Sequence, residues 1–79
     1  MKRKSVSEEN VKRLEYLGMY LRELRLNSGL RQSDVSAAIN LSRNSISRIE
    51  RSHNFSVIHL FELADFYDLS VGEIMTDLK

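Results

Sequence analysis

Residues 40–50 read NLSRNSISRIE, and this stretch decides the fold. Ile46 and Ile49 stand three apart, and between and around them lie two arginines and three serines. Ser42 has the right side chain to cap a helix that starts at Arg43. At about 100° per residue, Ile46 and Ile49 define one inner face, with Glu50 at its edge. Asn44, Ser47, Arg48 and Arg51 point the other way, and Arg43 sits on the flank. So short a helix does not stand alone in water. Its two isoleucines, and a neighbouring helix across a tight turn, have to hold it.

The rest of the chain supplies the neighbours. Upstream, Val11, Leu14, Leu17, Leu21 and Leu24 recur at three- and four-residue steps, which predicts a long helix with one buried face. Ser5 and Glu8 have capping-box spacing for its start, and Gly29 suits a left-handed end. The stretch RQSDVSAAI (31–39) predicts a short helix with Val35, Ala38 and Ile39 inward. Asn40 then breaks it, since asparagine tolerates positive φ. Downstream, VIHLFELADFY (57–67) is the most apolar run and the expected core helix. Ser70 to Glu73 is a second capping box, opening a last helix with Leu69, Val71, Ile74, Met75 and Leu78. The chain has no proline and little β-branched alternation, so the expectation is all-α: a compact bundle of five helices in one domain spanning residues 1–79.

Composition narrows the function. A chain of 79 residues makes one small domain with a thin core. It has no cysteine, so disulfides and thiolate metal sites are ruled out. The opening MKRKSVSEEN lacks the apolar centre of a secretory signal, no run is long enough for a membrane span, and a cytoplasmic location is expected. His53 and His59 are six apart without clustered carboxylates, and neither a nucleophile elbow nor a glycine-rich phosphate loop occurs. No enzyme, metal or cofactor is expected. Net charge is only +1, but it is unevenly spread. Residues 1–52 carry eleven Lys/Arg against six Asp/Glu, and residues 53–79 carry one against five. The basic end suits a polyanion, leaving the acidic end clear of it.

An outward row of arginine, asparagine and serine on a short helix has two explanations. One is a merely solvated face. The other is a helix that reads the major groove of DNA, where arginine pairs bidentately with guanine and asparagine with adenine.

The stretch LRELRLNSGLRQSDVSAAINLSRNSISRIE (21–50) resembles the helix-turn-helix of the phage-repressor and Cro-like transcriptional regulators. The likeness rests on Arg25, Gly29, Gln32, Ser42, Ile46, Ile49 and Glu50 in combination. It continues through LFELADFYDLSVGEI, and Gly18 matches a small residue early in the first helix. The resemblance implies a lambda-repressor-like fold and binding to double-stranded DNA. It implies that Arg43, Asn44 and Arg48 read bases, with Ser47 a lesser reader, and that Gln32 touches a phosphate and supports the recognition helix. Ser45 becomes a phosphate or packing residue, while Arg25 and Glu50 form a structural ion pair. Arg31, Ser42 and Arg51 complete the candidate interface. Arg31 departs from the capping Ser or Thr of the family and adds a cation beside the phosphates. Asn40 replaces a turn glycine, and Ser36 an alanine. The segment RSHNF (51–55) lacks the usual Gly and Pro and is about one residue short, which puts its geometry in question.

Two ends of the chain remain. Residues 1–7, with Lys2, Arg3 and Lys4, form either a basic arm onto DNA or a solubilising tail. Tyr16 and Tyr20, one turn apart, suit packing or a partner surface. Leu69, Val71, Ile74 and Met75 offer more apolar surface than one short helix usually buries, so a homodimer through this segment is expected. The reading is a repressor acting as a homodimer on a palindromic operator. Its rival is a protein-interaction module of the antitoxin type, whose main partner is another protein.

Overall fold

The computed structural model describes residues 7–76. Within them run five helices: α1 (Glu8–Asn27), α2 (Gln32–Ala38), α3 (Arg43–Glu50), α4 (Val57–Phe66) and α5 (Val71–Ile74). The all-α expectation holds. Helix α3 packs on both α2 and α1, while α5 packs on α4. Leu17, Leu21, Val35, Leu41, Ile46, Ile49, Leu60, Leu63, Ala64 and Ile74 form a single core.

Serines start four of the helices. Ser7, Ser42, Ser56 and Ser70 each accept a hydrogen bond from the backbone N–H three residues on. The cap of α1 is therefore Ser7; Ser5, the basic arm before Ser7 and Leu78 lie outside the described residues. At α5 the expected box closes in both directions, Ser70 N–H to Glu73 Oε1 at 2.7 Å and Glu73 N–H to Ser70 Oγ at 3.0 Å.

Three helices end in the same way. Gly29 (φ 72°), Ser52 (φ 74°) and Asp68 (φ 59°) take left-handed conformations. The next residue then donates back five places: Leu30 N–H to Arg25 O at 3.1 Å, His53 N–H to Arg48 O at 3.0 Å and Leu69 N–H to Ala64 O at 2.9 Å. The segment without glycine or proline thus turns through Ser52. Asn40 does not have the positive φ expected of it. Instead α2 stops because Ile39 is extended (φ −129°), and Ser36 Oγ donates to Leu41 O at 2.9 Å across the turn.

Several inward expectations fail for geometric reasons. Val11 is 43% exposed and Leu14 half-buried, because α1, about 30 Å long, outruns the short α3 on which it packs. Ala38 is exposed at the end of α2. Helix α4 is only half a core helix: Leu60, Leu63 and Ala64 are buried, whereas Val57, Ile58 and Phe61 are exposed. The C-terminal segment needs the opposite correction. Ile74 is 1% exposed and belongs to the core, Leu69 and Val71 are half-buried against it, and only Met75 is exposed. Helix α5 is a single turn of four residues packed on α4, and Ile74 is the residue it buries.

Candidate nucleic-acid interface

The position of α3 is fixed from behind. Gly18 lets α1 cross its C-terminal end backbone to backbone: a Cβ there would lie 2.8 Å from Ile49 O and 3.0 Å from Glu50 O. Beside that crossing, Arg25 Nε and Nη2 donate to the two oxygens of Glu50 at 2.8 and 3.0 Å, a bidentate pair between largely buried side chains. Arg25 Nη1 donates to Leu30 O at 2.9 Å, so the guanidinium also ties the turn after α1. Hydrogen bonding to Glu50 raises the Arg25 pKa against the opposing effect of burial. Close to both, burial and then the Glu50 charge push the Tyr67 phenol up to about 12, with Arg25 opposing. The ion pair expected from the sequence is present. It locks α1 to α3.

Gln32 joins the same network. Its Nε2 donates to Glu50 Oε1 at 3.1 Å, which links the start of α2 to α3. Arg31 precedes it and has no side-chain acceptor for a cap. Asp34 does that work alone, taking the Arg31 backbone N–H at 2.7 Å and holding Arg31 Nε more loosely at 3.5 Å. These contacts, the backbone one first, lower the Asp34 pKa. The Arg31 side chain remains 83% exposed.

With its back so held, α3 presents Asn44 and Arg48 as exposed residues on its outer side and Arg43, also exposed, on the flank. Among the described residues, none of these three side chains has a hydrogen-bond or ion-pair partner, so their donors face solvent. Ser47, half-buried, lies between them; Arg51 Nε reaches back to Ser47 O at 3.4 Å. Ser42 caps the helix through Ser45 N–H at 3.0 Å, and the Ser42 and Ser45 hydroxyls are hydrogen-bonded to each other at 3.0 Å. Two hydroxyls joined by one bond leave one proton for an outside acceptor.

A cleft opens on each flank of this surface. One, of about 500 Å³, is lined by Arg25, Arg31, Gln32, Ser33 and Arg43. It gathers the predicted Arg31, Gln32 and Arg43, and adds Ser33. The other, of about 100 Å³, is lined by Ser45, Arg48, Ile49, Asn54, Phe55 and His59. Its Asn54 and His59 come from the loop and α4, so nothing in the local pattern around α3 marks them. No cluster of three metal-ligating side chains occurs among the described residues, and none of their helices is long and apolar enough to cross a membrane.

A helix-turn-helix family model matches residues 21–74, which includes all five elements except most of α1. No match to a curated protein was found.

Proposed function

The chain belongs to the phage-repressor and Cro-like helix-turn-helix family of DNA-binding transcriptional regulators, and we propose that it is a sequence-specific repressor acting as a homodimer on a palindromic operator. One observation carries the reading: the side chains of Arg43, Asn44 and Arg48 are exposed together, without partners among the described residues, on a helix whose other side is locked in place. In this reading they contact base edges in the major groove. Arg31, Gln32, Ser33 and Arg51 contact the backbone, which positions the helix without specifying sequence.

The magnitudes of base recognition favour a dimer. Each good bidentate base contact discriminates by about 1–3 kcal/mol, whereas specific binding exceeds non-specific by about 4–10 kcal/mol. Three readers on one helix give about 3–9 kcal/mol, which covers the lower part of that range, and a second copy on a two-fold site doubles the supply. Since Ile74 is in the core, the surface for the second copy is Val57, Ile58 and Phe61, which share one side of α4, together with Met75. A partner protein of another kind could use the same apolar stripe at the acidic end of the chain. Sedimentation at tens of micromolar separates the two: a dimer supports the operator reading, and a monomer leaves the stripe to a different protein.

The direct test is selection of bound duplexes from a random DNA pool, followed by affinity against salt. For about six phosphate contacts per dimer the log–log slope is near −5. Asn44→Ala and Arg48→Ala each relax the selected motif at one base pair, and Arg31→Ala weakens all sequences alike. Failure to select any duplex, or an unchanged motif in both base-reader variants, refutes the assignment.

A further inference from the structure

The two clefts straddle the exposed surface of α3, and a helix in the major groove is likewise straddled by the two phosphate backbones, about 12 Å apart. Resting on the reading of α3 as the recognition helix, we propose that the α3–α4 cleft takes a backbone phosphate through His59, and that operator binding therefore takes up a proton.

The geometry of the cleft supports this at each side. Asn54 brings an amide from the loop and His59 an imidazole from α4, around a space of about 100 Å³ whose α3 wall includes Ser45 and the base of the Arg48 side chain. Roughly three waters' worth of liquid fits such a volume, so a phosphate oxygen enters by displacing solvent rather than protein. The Ser42–Ser45 pair leaves one hydroxyl proton at the same wall. His59 is half-buried, and on α4 it lies on the opposite flank of the buried row from Val57, Ile58 and Phe61. The phosphate site and the apolar stripe do not compete.

The proton balance follows from the charges that surround the ring. The charged groups nearest it are Arg48 across the cleft and Glu62 one turn further along α4, and the loop contributes the neutral Asn54 and Phe55. A phosphodiester, anionic at every working pH, adds a negative charge beside the ring. The imidazolium then donates from both nitrogens, where the neutral ring donates from one. Each pKa unit by which the bound phosphate favours the charged ring tightens binding by up to about tenfold on the acid side.

The test uses the full chain and a duplex selected by the wild type, with anisotropy titrations at about pH 8 and about pH 6 at constant ionic strength. The wild type tightens several-fold on acidification, and NMR of the His59 ring shows its titration midpoint moving up when the duplex is added. His59→Gln flattens the pH profile at the weaker affinity; His59→Arg flattens it at the tighter one. His53→Gln, in which the other histidine is removed, keeps the gain. A wild type that binds with a flat profile overturns the inference, as does a gain that survives in His59→Gln. If the wild type selects no duplex at all, it is the recognition reading that has failed, which is a separate result. Should His59→Gln lose its helicity, the wild-type profile and the ring titration decide alone.

Discussion

Replacing Glu50 with alanine removes the acceptor of three hydrogen bonds at once: two from Arg25, at 2.8 and 3.0 Å, and one from Gln32, at 3.1 Å. The Arg25 guanidinium then keeps only Leu30 O, at 2.9 Å, while its residue is 8% exposed. An ion stranded in this way costs about 3–5 kcal/mol, because it loses its partner without regaining water. At about 0.05–0.15 kcal/mol per residue, 79 residues have a total stability of about 4–12 kcal/mol. Glu50→Ala therefore removes a large part of it. The double variant Arg25→Met, Glu50→Leu eliminates both charges and keeps the volume, and such replacements are often neutral. The expected order in urea unfolding, followed by helical circular dichroism, is wild type near the double variant and both well above Glu50→Ala. If Glu50→Ala costs under about 1 kcal/mol, or the double variant is as unstable as Glu50→Ala, the ion pair does not lock α1 to α3, and that account of how α3 is positioned falls.

Gly18→Ala sets a gain in helix propensity of about 1 kcal/mol against a Cβ placed 2.8 Å from the Ile49 carbonyl oxygen. Overpacking against backbone costs about 1–3 kcal/mol, so thermal melting should show a net loss; an unchanged or raised midpoint contradicts the close crossing. Ser52→Gly relieves a left-handed serine at φ 74°, and after glycine's own entropic cost stability should rise by about 0.5–1 kcal/mol in urea unfolding. Ile74→Asp buries a charge at a position 1% exposed, so circular dichroism should show loss of helicity rather than a folded monomer; retention of full helicity would return Ile74 to the surface.

How far the sequence spoke depended on whether a feature lay within one helix. Ile46 and Ile49 set the face of α3, Ser42 set its start, and the exposed Asn44, Arg48 and Arg51 followed from periodicity, whereas Ser47, expected outward with them, is half-buried. Helix ends were legible where residue type imposed the geometry, as at Gly29. They were hidden at Ser52 and Asp68, where the left-handed turn is held by the backbone bonds from His53 and Leu69 rather than by glycine. Helix α4 is apolar nearly all round, so its composition could not say that Leu60 and Leu63 face the core while Val57, Ile58 and Phe61 face water. Ile74 posed the same ambiguity in the other direction. The α3–α4 cleft was the least legible of all, because Ser45, Asn54 and His59 meet only once three elements have packed. That is also why it matters mechanistically. In the proposed binding mode residues on α3 read bases, while the groups that line the flanking clefts and would hold the two backbones come from α2 on one side and from the loop and α4 on the other. In that mode, residues outside α3 set its depth and tilt in the groove, and a substitution at Ser33, Asn54 or His59 should change the affinity for every sequence while leaving the preferred bases as they are.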